Sequence, residues 1–137
     1  MERTNTKRFE LFPEGTYLFT VTQAPEKFRT ETDKIRYVWK FSTTIDGRPR
    51  EYKESMMVWL MGDLLRALEC QEITPDDFEW EVEEVVGKII WGTIKHEPDR
   101  RDLKENKPNP RMWARMTDIQ STKDKAKEDE EKIGLPF

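Results

Sequence analysis

The stretch Ile35 to Ile45 (IRYVWKFSTTI) does most to limit the fold. Its side chains alternate: Ile35, Tyr37, Trp39 and Phe41 fall on one side and Arg36, Val38, Lys40 and Ser42 on the other, the period of a β-strand. Asp46-Gly47 follows at once, a pair that tolerates the positive φ of a tight hairpin turn. Past Arg48 and Pro49, Glu51 to Trp59 reads as the returning strand. A long antiparallel hairpin is expected, with its Tyr37, Trp39, Phe41 face turned to a core.

The remaining elements fall around that hairpin. Pro13-Glu14-Gly15 marks a turn, and Thr16 to Ala24 alternates as a strand that Pro25 is expected to end. Glu26 to Lys34 reads as a charged loop carrying Phe28. After the third strand the period changes, with Leu60, Leu64, Leu65 and Leu68 at helical spacing. Thr74-Pro75-Asp76-Asp77 reads as suited to a helix start, and the segment to Val86 as a second, shorter helical or irregular piece. Lys88 to His96 and Arg111 to Ile119 return to period two, separated by a polar loop from Asp99 to Pro110. Three strands, a helical insert and two strands make a mainly β domain over residues 1–119. That is the order of a five-stranded OB-fold barrel, which small SH3-like barrels share in part. Residues 120–137 have nothing to pack and are expected to form a flexible acidic tail.

Composition narrows the class. One domain suits 137 residues. Hydrophobic residues make up 35% and charged residues 38%, so the core is lean, but 11% aromatics argue against a disordered chain. No apolar run is long enough to span a membrane, and the start MERTNTKRFE lacks the apolar stretch of a signal peptide. The single cysteine, Cys70, reads as a small apolar residue at a helix end, and cytoplasmic location is expected. The net charge of −4 hides a segregation: Glu69 to Glu84 holds eight acids and no Lys or Arg, and Glu128 to Phe137 holds four acids. Without those two stretches, 23 of the 24 basic residues face 16 of the 28 acidic ones. The body is basic, which suits a polyanionic partner.

Catalytic and metal residues are not expected, and no cofactor. His96 stands alone at a strand end, expected in solvent, with no second His or Cys for a zinc site. Glu51-Tyr52-Lys53, with Asp33 or Asp46 before it, has the acid-x-Lys pattern of Mg²⁺-dependent nucleases and keeps that reading open as an alternative. The stronger signal is a face mixing rings and cations. Trp91 and Lys95 on the fourth strand, Arg111, Trp113 and Arg115 on the fifth, and Arg36 and Lys40 on the second suit single-stranded nucleic acid. Bases stack on the rings while Lys and Arg meet phosphates. Phe28, Arg100 and Arg101 flank the face from two loops.

The chain ends EDEEKIGLPF. Asp129, Glu130 and Glu131 before Leu135, Pro136 and Phe137 make an end that resembles the single-stranded-DNA-binding proteins of bacteria and their phages, the SSB type. The match covers about ten residues; the body shares element order and aromatic content. In this chain a short Lys- and Glu-rich stretch from Ser121 to Lys132 stands where that family has a long Gly-, Gln- and Pro-rich linker. The resemblance implies sequence-tolerant single-stranded DNA binding in replication, recombination or repair. It also implies a tip that docks on replication or repair proteins, with Phe137 and its carboxylate in a basic, apolar pocket. Leu-Pro-Phe is similar, too, to the ends of peptides that bind the bacterial sliding clamp. A protein-binding adaptor β-barrel without nucleic-acid binding is the other open reading. An unpaired edge strand also leaves room for a homo-oligomer.

Overall fold

The computed structural model describes residues 11–75 and 77–133. Five strands form one antiparallel sheet: β1 (Gly15–Arg29), β2 (Ile35–Ile45), β3 (Arg48–Met57), β6 (Ile89–Pro98) and β7 (Met112–Gln120), in the order β3-β2-β1-β6-β7. Between β3 and β6 lie a 3-10 turn (Val58–Leu60), helix α1 (Gly62–Ala67) and a small separate hairpin, β4 (Gln71–Thr74) with β5 (Asp77–Glu79). Helix α2 (Arg100–Lys104) interrupts the β6–β7 connection, and helix α3 (Thr122–Ile133) follows β7. Among the described residues no helix is long and apolar enough to cross a membrane.

The β2–β3 hairpin has the expected form. Asp46 and Gly47 take φ of 52° and 75°, both positive as the tightest hairpin turn requires, and Thr44 pairs with Pro49 just beyond. Proline is admissible there because β3 is an edge strand of the sheet among the described residues. Trp39 and Phe41 are fully buried, as their face predicts. They join Phe19, Val21, Tyr52, Ile90, Ile94 and Met116 from the other strands, and Leu64, Leu65, Leu68 and Val85 from the insert. Trp80, just after β5, stacks on Trp39 at 5.7 Å.

Four expectations need correction. Pro25 does not end β1; it is buried inside the strand, in a bulge where the register with β2 shifts between Gln23 and Glu26. A bulge leaves one residue outside the ladder, so the missing proline N–H costs no bond there. Phe28 accordingly belongs to β1 and pairs with Arg36, not to a loop. The start of the piece after Thr74 is not helical: Asp77–Glu79 is the second strand of a hairpin, because alternating Asp77, Phe78 and Glu79 put one ring toward the core and two acids in water, and the rest to Val86 runs in irregular turns. Residues 122–133 are helical where a flexible tail was expected: Ser121 Oγ accepts the Asp124 N–H at 3.1 Å, and Lys125 and Asp129 pair at 2.9 Å one turn apart.

The sheet is not closed into a barrel by backbone pairing, which corrects the expected closure. Its free edges nonetheless meet. The Tyr52 hydroxyl on β3 reaches the Ala114 carbonyl on β7 at 3.3 Å, and the Glu54 carboxylate accepts the Met116 N–H at 3.2 Å. In a flat sheet of this order those strands would stand about 19 Å apart, so the sheet must curl until they face each other. Two side chains bridge the seam.

Candidate functional site

An open groove lies over that seam. Arg36, Lys53 and Ser55 form one wall, Arg100 and Arg101 of α2 overhang it, and Trp113 and Arg115 of β7 form the other. Strand parity explains the arrangement. Tyr52, Glu54 and Met56 point inward, so Lys53 and Ser55 point out; Met116 points inward, so Trp113 and Arg115 point out.

The groove has cations to spare. Among the described residues Arg36, Lys53, Arg100 and Arg101 have no acidic partner within ion-pair distance, while Arg115 meets Glu97 at 3.6 Å. Two ladder positions set like charges directly opposite: Lys40 against Lys53, and Lys95 against Arg115. Such pairs destabilise a sheet unless something negative lies across them. Lys40 is partly compensated by Glu26 at 3.6 Å and Gln23 at 3.1 Å.

The connection carrying α2 is held stiffly. Asp102, 1% exposed, accepts from the backbone and side chain of Arg111 at 2.8 Å and 3.1 Å, and Lys107 reaches it at 3.3 Å. The Arg111 hydrogen bonds hold the Asp102 carboxyl well below the usual carboxylate range, and Asp102 in turn pushes the guanidinium further up. Asp99 caps α2 by accepting the Arg101 N–H at 2.8 Å and takes the Trp113 indole N–H at 2.8 Å. That indole bond, ahead of its other contacts, lowers the Asp99 pKa. Trp113 is therefore a ring fixed by its edge while still 44% exposed.

The sequence-predicted residues divide in space. Arg36, Arg100, Arg101, Trp113 and Arg115 share the groove, and Phe28 sits beside Arg36 on the same face of the ladder. Lys95 adjoins it through Arg115. Arg111 is committed to Asp102 and Asp99. Trp91 stands apart. It pairs with Gln120 whereas Trp113 pairs with Glu97, six residues along β6 or about 20 Å, and Lys125 of α3 lies over its ring at 5.9 Å. Asp129, Glu130 and Glu131 belong to α3, and Leu135, Pro136 and Phe137 lie outside the described residues. The parity of the third strand places Lys53 and Ser55 on this face, but the sequence pattern points to Lys53 only through the acid-x-Lys pattern and gives no signal for Ser55.

In that pattern Glu51 and Lys53 share the outward face of β3. Asp33 and Asp46 flank β2 at opposite ends, about 35 Å of strand apart, with Glu51 near the Asp46 end opposite Ser42. Among the described residues no three His, Cys, Asp or Glu side chains gather as metal ligands. His96 is also not simply solvated: its Nε2 contacts the Phe12 carbonyl at 2.7 Å and its N–H donates to Glu14 at 3.1 Å, fastening the entry to β1. The sequence matches no protein-family model, and no curated protein matches it.

Proposed function

We propose that the protein binds single-stranded DNA without strong sequence preference, in the groove between β3 and β7, as a non-enzymatic partner of replication, recombination or repair. One observation carries this reading: four cations that have no acidic partner among the described residues share a groove with one exposed, edge-anchored indole, and together with Arg115 they outnumber the groove's three carboxylates, Glu54, Glu97 and Asp99. Phosphates satisfy the cations and release counterions, and an unpaired base stacks on Trp113 whatever its identity. Duplex DNA presents no free base face to the ring. The OB-fold reading supports the same place, since such partly open barrels bind oligonucleotides on their second and third strands between two loops. Here those parts are β2 and β3, the Thr30 to Lys34 turn and the α2 connection. The C-terminal tip, Leu135, Pro136 and Phe137, is assigned to recruiting replication or repair proteins, its carboxylate suiting Arg or Lys.

Fluorescence titration with oligo-dT over a range of salt tests the reading. Binding should weaken steeply with salt, Trp113→Ala should lose about 1–3 kcal/mol, and Arg100→Ala or Arg101→Ala should lower the salt slope by about one. Salt-independent binding, or none, would sink it and favour a protein-binding adaptor.

A further inference from the structure

The 3-10 turn after β3 consists of Val58, Trp59 and Leu60, which are 44%, 59% and 58% exposed. Three consecutive large apolar side chains on the surface are costly to hydrate and contribute little to the core. The Trp59 side of the turn is basic. Lys34 Nζ lies 5.5 Å from the centre of the Trp59 ring. Arg36 pairs with Met57, so the turn begins directly beside the Arg36 wall of the groove. Leu60 lines a cleft with Ser55, Arg100 and Arg115, which also line the groove, and with the carboxylates Glu54, Asp63, Glu97 and Asp118. The groove and the turn are one continuous surface.

We propose that Trp59 is a second base-stacking station and Lys34 its phosphate contact, so that a single strand runs from Trp113 past Arg115, Arg100 and Arg36 to Trp59. The proposal rests on the nucleic-acid reading of the groove and extends it. A ring has two faces; the ammonium takes one and leaves the other for a planar base. Nucleic acid is favoured over a protein partner because Lys34 on the Trp59 ring and Arg36 beside the start of the turn match phosphate, whereas the centre of a protein interface is depleted in charge.

The test is an oligo-dT length series, from about 4 to about 16 nucleotides, titrated against the full chain and the variants Trp59→Ala, Trp59→Phe, Lys34→Ala and Trp113→Ala. Circular dichroism checks that each is folded. With the wild type, affinity should rise as the strand becomes long enough to reach Trp59. Trp59→Ala should remove that rise, weakening long oligonucleotides about 5- to 150-fold while sparing the shortest. Trp59→Phe should retain most of it, and Trp113→Ala should weaken every length. If Trp59→Ala matches the wild type at all lengths while Trp113→Ala weakens binding, the second station is overturned and the groove reading stands. If the wild type binds no oligonucleotide, the groove reading itself fails.

Discussion

Two buried carboxyls oppose each other in pH. Glu54, 7% exposed at the seam, has its pKa raised chiefly by burial, against the lowering from the Tyr52 hydroxyl and the Met116 N–H. A raised acid binds its proton more tightly when folded. Between the ordinary Glu value of about 4.3 and the raised one, stability therefore falls as pH rises. Asp102 has the opposite sign: lowered by Arg111, its contribution is present above about 3.9 and lost as pH falls below it. Urea midpoints measured between pH 3 and 7 should show both slopes. Glu54→Gln should flatten the upper one, since a glutamine still accepts from Met116 and donates to Tyr52. Asp102→Asn should flatten the lower one and destabilise at pH 7. An upper slope unchanged in Glu54→Gln would mean another group titrates there. Neither effect was legible in the sequence, because the burial of Glu54 at the seam and the Arg111 partner of Asp102 are both brought about by the fold.

At the scale of elements, legibility followed local chemistry. The strand Ile35–Ile45 and the turn Asp46-Gly47 were readable because alternation and turn residues act within a few positions. The strand around Pro25 was not, since a bulge is defined against a neighbour, here β2. The last helix was missed for a related reason: Thr122–Ile133 has no apolar stripe of its own, and its order comes from capping and charge pairs. Ser121 accepts from Asp124, Gln120 donates to Glu128 at 2.6 Å, Lys123 meets Glu69 at 3.6 Å and Lys125 covers Trp91. Such a helix depends heavily on its cap. Ser121→Ala should cost α3 about 0.5–2 kcal/mol and reduce ellipticity at the helix band. Unchanged ellipticity, with unchanged amide exchange over Thr122–Ile133, would show that the cap is dispensable.

For the whole molecule the seam is decisive, because the proposed groove lies directly over the place where the sheet fails to close. Strand order was readable, but closure was not, since it depends on Tyr52 and Glu54 meeting residues 62 positions away. A ladder would spread that junction over many backbone bonds; here, among the described residues, its hydrogen bonds come from one hydroxyl and one carboxylate. Tyr52→Phe removes the hydroxyl that joins Glu54 and the Ala114 carbonyl, leaving the buried Glu54 carboxylate without its hydroxyl donor. The expected loss is about 1–3 kcal/mol. The loss should also be local: the Met116 amide should exchange faster in Tyr52→Phe while amides of the β1–β2 ladder slow or hasten only with global stability. A strand lying from Arg36 and Lys53 across to Trp113 and Arg115 would tie both edges together, so saturating oligo-dT should slow Met116 exchange in wild type and variant alike. If Met116 exchanges in step with the β1–β2 amides in both proteins, the edges open only when the whole sheet unfolds, and the seam is as strong as a ladder.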